Sequence, residues 1–340
     1  MKILYVSVHQ ILEYDEISIF ESLGHDVFSL GSYFGTAPSE QFRPVPPLMP
    51  ALADYMTMFE ALGGVYKYGA PASEQVIPRA FAKLFDAVVV MHDLDFIETH
   101  WDAFAGIPVI WRSIGVGTDL FEPRVAALRV RGMKIVRYCP TEVGAEHYAG
   151  HDAVVRFGKV GADYSWIGNR PELLTFSHAY RQRFPAEYDF YVAATEGIPA
   201  LLGGASNEGL PSALGIVDFQ TQNELFAGCA AYFYASGSFI PYTLNFMEAW
   251  LSGIPLVAID CHGVHAPEHC KFAEVPTLIQ HGVNGFLVKT PEEAKEVFRT
   301  IQNDPLLARS ISVAGASTAR SLFSSEVIAP QWRKLFASVA

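Results

Sequence analysis

The segment KILYVSVHQILEYDEISIFESLGHDVFSL, residues 2–30, decides the fold class. Its first part, KILYVSV, is a continuous apolar run, as in strands that are buried on both faces of a parallel sheet. In the next part Ile17, Phe20 and Leu23 recur at helical spacing, and Gly24 is a natural helix end. The last part, DVFSL, is typical of a second strand. A strand, a helix and a strand in this order predict a doubly wound α/β domain.

The same alternation continues along the chain in two series. Apolar runs at 87–93, 108–115, 134–140 and 152–158 predict further buried strands. A second series of strands begins near residue 172 and continues at 213–219, 230–236, 254–260 and 285–290. The interval between the two series, residues 159–171, carries Gly, Asn and Pro. We therefore predict an N-terminal Rossmann-like domain at 1–165, a C-terminal one at 166–325, and a terminal helix at 326–340 that packs back on the first domain. The expected architecture is two doubly wound α/β domains facing across a cleft, with ligands at the carboxyl ends of the strands.

Composition narrows the classes of function. The 340 residues carry a net charge of −12, which argues against binding nucleic acid through the whole surface, because phosphates need an electropositive face. No leader segment is evident, and no apolar run approaches the roughly 18 residues of a membrane span. Four scattered cysteines are too few for a disulfide framework. These features predict a cytoplasmic protein without a membrane span.

A short helix near residue 248 has the features of a ligand site. The segment IPYTLNFMEAWLSGIPLVAID, residues 240–260, offers Thr243 as the N-cap and Gly253 as the helix end. A helix that begins at the carboxyl end of a parallel strand points free N–H groups at an anion such as a diphosphate. Glu248 lies one turn inside, among apolar neighbours. A carboxylate in such a setting tends to be paired or liganded, so we predict that Glu248 binds a ligand.

Residues 242–260, together with EVPTLIQHGVNGFLVKTPEEAKEVFRTIQNDP at 274–305, resemble the donor domain of family-four retaining glycosyltransferases of the GT-B fold. The resemblance implies a nucleotide-sugar donor, no cofactor and no metal. It assigns Glu248 to the ribose and places the diphosphate near the backbone of the following residues: Tyr242, Thr243, Leu244 and Asn245. The family's first motif glutamate falls at Ile240, and its glycine falls at Thr243. These departures leave the donor sugar open.

Positive charge against the leaving diphosphate is expected after the first strand of the second domain. The family places an Arg and a Lys there, and here TFSHAYRQRF offers Arg181 and Arg183, with Ser177 and His178 ahead of them. In the first domain, polar residues at the ends of buried strands are expected to face the acceptor. They are His9, His92, Asp93, Arg112 and Ser113, and His92 is also a candidate catalytic residue.

Two further patterns allow other interpretations. Cys261, His265, His269 and Cys270 have the ligand types of a zinc site, but their C-x3-H-x3-H-C spacing matches no standard one, so no metal is predicted. A second pattern, the segment PRVAALRVRGMKIVR at 123–137, carries five cations and no acid: Arg124, Arg129, Arg131, Lys134 and Arg137. It favours a solvated helix face over a phosphate-binding face for a DNA acceptor.

Taken together, the sequence predicts a retaining glycosyltransferase that moves a sugar from a UDP- or GDP-sugar to an acceptor hydroxyl. The acceptor is a small molecule, a glycan or a hydroxymethylated base in DNA. The alternatives are a GT-B nucleotide-sugar epimerase, which uses the same donor, and a non-catalytic homologue that binds nucleotide-sugars.

Overall fold

The computed structural model describes residues 1–33, 50–116, 120–161, 163–235 and 240–339. The chain forms two compact units, the first from Met1–Val160 with Ser325–Ala340 and the second from Gly161–Ser324. The division falls five residues before the predicted boundary. Within the described ranges, no helix has the length and apolar character that a membrane crossing requires.

The first unit is a doubly wound α/β domain. Its six strands are all parallel and lie in the order β2-β1-β3-β4-β5-β6. The elements are β1 Lys2–Val6, α1 Gln10–Ser22, β2 Asp26–Leu30, α2 Pro50–Ala61, α3 Arg79–Ala82, β3 Ala87–Met91, α4 Leu94–His100, β4 Val109–Arg112, α5 Phe121–Val130, β5 Lys134–Arg137, β6 Ala153–Val154 and, from the end of the chain, α14 Ser325–Ala337.

The terminal helix α14 is part of the first unit's core. Trp332 and Phe336 lie four residues apart on one face, and their rings meet Phe20 of α1 at centroid distances of 4.8 and 5.1 Å. All three side chains are almost fully buried. Burial of each aromatic side chain contributes about 1.5–3 kcal/mol, so these contacts hold the end of the chain on α1.

The second unit repeats the design with strand order β12-β11-β10-β7-β8-β9, again all parallel. The elements are β7 Leu173–Phe176, α6 Tyr180–Arg183, α7 Pro185–Thr195, β8 Ala200–Gly203, β9 Ala213–Gly215, α8 Phe219–Gly228, β10 Ala231–Tyr234, α9 Leu244–Ser252, β11 Leu256–Ile259, α10 Pro267–Cys270, α11 Val275–Leu278, β12 Phe286–Val288, α12 Pro291–Asn303 and α13 Pro305–Phe323. The doubly wound prediction is confirmed for both units.

Strand order also locates the expected ligand edge of each unit. In the first unit, β1 and β2 extend to one side of the sheet, and β3 to β6 extend to the other side. In the second unit, β7 to β9 extend to one side, and β10 to β12 extend to the other side. The order therefore reverses between β1 and β3 in the first unit, and between β7 and β10 in the second. Doubly wound sheets bind ligands at such reversals, beyond the carboxyl ends of the strands.

Candidate functional site

The candidate site of the second unit lies where β7 and β10 end. Ser177 and His178 follow β7 directly, and Ile240 to Thr243 lead from β10 into α9; residues 236–239 of the predicted turn lie outside the described residues. The strand reversal therefore brings together two segments that are about 60 residues apart in sequence. These are the segments that the sequence assigned to the diphosphate.

Helix α9 begins as the sequence predicted. Thr243 is extended, and its Oγ1 accepts a hydrogen bond from Phe246 N at 3.3 Å, while Gly253 ends the helix in a left-handed conformation. The cap satisfies one N–H of the first turn, and the N–H groups of Leu244 and Asn245 have no partner within the helix. The Tyr242 side chain is buried against Phe323, so only its backbone can serve a ligand at this edge.

Glu248 is buried one turn inside α9, with 7% of its surface exposed. Its Oε2 accepts a hydrogen bond from Gln222 Nε2 of α8 at 2.8 Å, and the same amide donates to Asn245 Oδ1 at 3.2 Å. One amide therefore orients two polar side chains of α9. The sequence did not single out Gln222, because its only signal is an uncharged polar residue on the buried face of a helix.

The loop after β7 has a constrained backbone. Ala179 adopts φ +47°, a left-handed conformation that disfavours residues with a Cβ. Asn207 holds the loop in place: Nδ2 donates to the carbonyl of Ser177 at 2.6 Å, and Oδ1 accepts from Tyr180 N at 2.9 Å. A Cβ on Gly204 would lie 2.2 Å from the Ser177 carbonyl oxygen, so a glycine is needed there. Strain held by such a clamp is typical of functional loops.

His178 is set up as a neutral hydrogen-bond donor. Its Nδ1 accepts a hydrogen bond from Ala205 N at 2.9 Å, which places the proton of the neutral ring on Nε2. Burial lowers the pKa of His178 below its ordinary value, and the charge of Arg183 lowers it further. The ring can therefore donate to a ligand oxygen near neutral pH without carrying a charge.

Arg181 and Arg183 extend from the one-turn helix α6 and are both exposed. Within the part of the chain that the structure describes, neither forms an ion pair. Their guanidinium groups are therefore accessible to an anion, unlike those of Arg112 and Arg137, which are buried and paired with acids. Both lie in the segment that begins where β7 ends.

Ile240 lines a cavity of about 10 Å³, which has room for about one water molecule. Glu187 and His265 line it too, with His265 Nε2 3.0 Å from Glu187 Oε1. The isoleucine therefore adds an apolar wall beside a buried carboxylate and an imidazole. Glu187 was not a candidate site residue from the sequence, and His265 was considered there only as a metal ligand.

In the first unit, His92 follows β3 at the strand reversal. It adopts φ +59°, and its ring stacks on Phe121 at 4.8 Å and on Trp111 at 6.0 Å. Burial lowers the pKa of His92 to about 4, with a further contribution from Arg137. Its Nδ1 is buried without a hydrogen-bond partner among the described residues. A neutral ring with an unsatisfied nitrogen in a strained loop is consistent with a functional histidine.

Two other residues near this reversal act as helix caps. The Asp93 carboxylate accepts a hydrogen bond from Phe96 N at 2.8 Å and caps α4. His9 caps α1 through a longer contact, with 3.5 Å between its Nδ1 and Leu12 N. Asp93 therefore has a structural role as the cap of α4, and its side chain is half-buried. His9 remains at the strand reversal beside β1.

Arg112 and Ser113 are structural, which corrects their assignment to the acceptor side. Arg112 is fully buried: its Nε donates to Glu16 at 2.8 Å, and its other nitrogens donate to backbone carbonyls. Ser113 is also fully buried and donates to Glu142 Oε1 at 2.9 Å. A strand-end position suggested a ligand contact for both, but acids distant in sequence fold back onto them.

The cations of the basic segment have contacts inside the first unit. Arg124 pairs with Asp95 and Glu98 of α4, Lys134 pairs with Asp152, and the buried Arg137 pairs with Glu122 and Glu142. Arg129 donates to the carbonyls of Ala149 and His151, and Arg131 lies over the ring of Trp101. Three of the five cations are therefore paired with acids of the first unit, and the other two contact backbone carbonyls or an aromatic ring.

The Cys/His segment folds into a cross-linked loop. A disulfide joins Cys261 and Cys270, whose Cα atoms are 5.9 Å apart, whereas Cys139 and Cys229 are free and buried. The ligand atoms of His262 and the two sulfur atoms lie within 4.8 Å of one another. No local sequence signal paired these cysteines, because only the turn of the loop brings them together.

No protein-family model matches the sequence, and no curated protein is similar to it in sequence. Solved structures do match over nearly the full length of both chains. HepE of Anabaena, in complex with UDP and glucose, has a TM-score of 0.62 at 16% identity and covers 99% of this chain and 100% of its own. A glycosyltransferase from Rickettsia africae has a TM-score of 0.66 at 13% identity, covering 99% of this chain and 98% of its own.

The pneumococcal O-GlcNAc transferase GtfA, in complex with UDP and GlcNAc, has a TM-score of 0.65 at 11% identity. It covers 100% of this chain and 99% of its own. At these identities the likeness establishes the fold alone. The chain has the GT-B fold that these glycosyltransferases share.

Proposed function

We propose that this protein is a retaining glycosyltransferase that moves a sugar from a nucleoside-diphosphate sugar to an acceptor hydroxyl. The observation that carries the proposal is the buried carboxylate of Glu248, oriented by Gln222 one turn inside a helix that begins at the strand reversal. A carboxylate held in this way can accept hydrogen bonds from ribose hydroxyls. The α9 N-terminus beside it favours a diphosphate.

In the proposed mechanism, the leaving nucleoside diphosphate is stabilised by fixed positive charge. The N–H groups at the start of α9 and the exposed guanidinium groups of Arg181 and Arg183 bind its oxygens, and His178 Nε2–H donates a further hydrogen bond. Negative charge on the diphosphate grows in the transition state, so these donors act most strongly there. The charge comes from side chains and the helix, so the proposal needs no metal ion.

The acceptor hydroxyl attacks the same face from which the diphosphate leaves, and the departing phosphate takes its proton. We assign His92 to this reaction as a neutral hydrogen-bonding group, because its low pKa leaves it uncharged at neutral pH. We take UDP as the first nucleotide to test, since HepE and GtfA are UDP complexes, and GDP as the second. Ile240 places no carboxylate beside the donor sugar, so other groups select that sugar.

A thermal-shift screen with UDP, GDP, ADP and TDP, followed by incubation with the matching nucleotide-sugars, tests the proposal. We expect stabilisation by UDP or GDP and slow release of the nucleotide from its sugar in the presence of acceptor hydroxyls. An epimerase would change the sugar without an acceptor, and a non-catalytic binder would leave the donor intact. Absence of stabilisation by every nucleotide would refute the proposal.

A further inference from the structure

The loop between β11 and α11 has almost no core of its own. Residues 260–274 contain a 3₁₀ turn at Cys261–Gly263 and the single helical turn α10. Cys261, Cys270 and Ala273 form a small separate cluster of buried residues within this loop. A loop with so little apolar burial needs a cross-link to hold one conformation.

The cross-linking atoms have the composition of a soft-metal site. The two sulfur atoms and a ring nitrogen of His262 lie within 4.8 Å of one another, with the sulfurs buried and the imidazole exposed. The Asp260 carboxylate accepts a hydrogen bond from His262 N at 3.2 Å and so fixes the turn that presents this ring. Two thiolates and an imidazole are ligands that Zn²⁺ prefers, and the exposed side leaves a fourth position for water.

This ligand set differs from the one suggested by the spacing of the sequence. His265 is not among the clustered ligands, because its Nε2 lies 3.0 Å from Glu187 of α7. The set is instead Cys261, the adjacent His262, and Cys270, brought round by α10. It is therefore a C-H-x7-C arrangement that only the folded loop reveals.

We propose that Cys261, His262 and Cys270 bind one Zn²⁺ ion in the reduced protein, and that this ion and the disulfide are alternative cross-links of the same loop. A thiol reductant supplies two electrons and two protons, the S–S bond becomes two thiols, and the reductant becomes a disulfide. Zn²⁺ then binds the two thiolates and releases their two protons. A small disulfide oxidant reverses these steps: it takes two electrons from the two thiolates and two protons from solvent to become two thiols, the Cys261–Cys270 bond re-forms, and the ion is expelled.

Either cross-link would keep the loop beside the start of α9. Cys261 and His265 line the cavity that Ile240 also lines, and Glu274 N donates to the Pro241 carbonyl at 3.0 Å. The metal site is distinct from the proposed nucleotide contacts. Metal binding at this site can be tested independently of the transferase activity.

Co²⁺ binding to the full-length protein tests this site, because thiolate ligation produces a sulfur-to-cobalt charge-transfer band in the near ultraviolet. The protein is stripped of metal, reduced with a phosphine and titrated with Co²⁺, and Zn²⁺ is then added to displace it. We expect one equivalent of Co²⁺, loss of the band on adding Zn²⁺, and no band in the oxidised protein.

Matched variants separate this site from the chain's other thiols and imidazoles. Cys261→Ser and Cys270→Ser should abolish the band. His262→Ala should weaken Co²⁺ binding by roughly tenfold or more, because losing even a residue that only contacts a metal ligand typically lowers metal affinity by about that factor. His269→Ala in the same loop and Cys139→Ser should bind as wild type does.

As a check that does not depend on the variants folding, Zn²⁺ should protect Cys261 and Cys270 of the wild-type protein from alkylation, read by mass spectrometry. A reduced wild-type protein without the band would overturn the proposal. So would a band that survives Cys261→Ser, or equal binding by His262→Ala and wild type.

Discussion

Replacing Glu248 with Gln should weaken nucleotide binding through the ribose while leaving the fold intact. Glutamine keeps the volume of the side chain, and its own amide oxygen can accept the bond from Gln222 that Glu248 accepts at 2.8 Å. The unfolding midpoint should therefore change little. What is lost is the negative charge and one of two acceptor oxygens.

The size of the effect follows from the hydrogen bonds involved. A carboxylate has about four acceptor directions, so it can serve Gln222 and ribose hydroxyls together. A hydrogen bond to a charged group is worth about 1.5–3 kcal/mol, and about 1.4 kcal/mol corresponds to tenfold in affinity. Losing one such bond should raise the Kd for UDP by roughly 10- to 100-fold.

Calorimetric titration with UDP and 2′-deoxy-UDP, or with the guanosine pair if GDP is the ligand, gives a double-mutant cycle. Wild type should prefer the ribonucleotide, and Glu248→Gln should lose most of that preference. Glu224→Gln on the exposed face of α8 is the matched control and should behave as wild type. Equal weakening of both nucleotides, or no weakening of either, would refute the assignment of Glu248 to the ribose.

Three further predictions concern charges. Arg181→Ala and Arg183→Ala should each lower kcat/KM about tenfold or more while uridine binding stays unchanged, because the lost contact is to the diphosphate; an equal loss of uridine binding would contradict this. The neutral His92 should make wild type lose stability as pH falls from 6.5 towards about 4, since only the unfolded chain gains a proton there. His92→Asn keeps a residue that tolerates a positive φ, and its free energy of unfolding in urea should fall less over this pH range. If the free energies of unfolding of the variant and of wild type fell in parallel with pH, His92 would not be the cause. Arg112→Met should lower the free energy of unfolding in urea by about 3–5 kcal/mol, because it leaves the buried Glu16 carboxylate unpaired. Adding Glu16→Leu should restore much of this stability. If it does not, the hydrogen bonds of Arg112 to backbone carbonyls contribute more than the ion pair.

Much of the fold was predictable because its signals are local. All six strands of the first unit were predicted from continuous apolar runs, as were five of the six in the second. The exception is β8, Ala200–Gly203, whose short ALLG segment ends in glycine and resembles a loop. The cap of α9 by Thr243 and its end at Gly253 were also predictable, since capping depends on residues within one turn.

The partners of charged side chains were not predictable in the same way. Arg112 occupies a strand end, where polar residues often face ligands, yet its carboxylate partner comes from Glu16, 96 residues earlier. His92 and His178 also follow the ends of strands, but there the side chain is a neutral imidazole at a strand reversal. Periodicity cannot separate these outcomes, because it reports which face of an element is buried and not what packs against it.

The sequence by itself determined the alternation of strands and helices, the buried character of the strands and the helix start at Thr243, since each depends on neighbours a few residues away. Only the tertiary structure decided which polar groups meet. It brought Gln222 to Glu248, clamped the loop after β7 with Asn207, paired Arg137 of the basic segment with Glu122, and turned Cys270 back onto Cys261 beside His262. Those contacts join residues from 9 to 30 positions apart, and chain folding alone sets their distances.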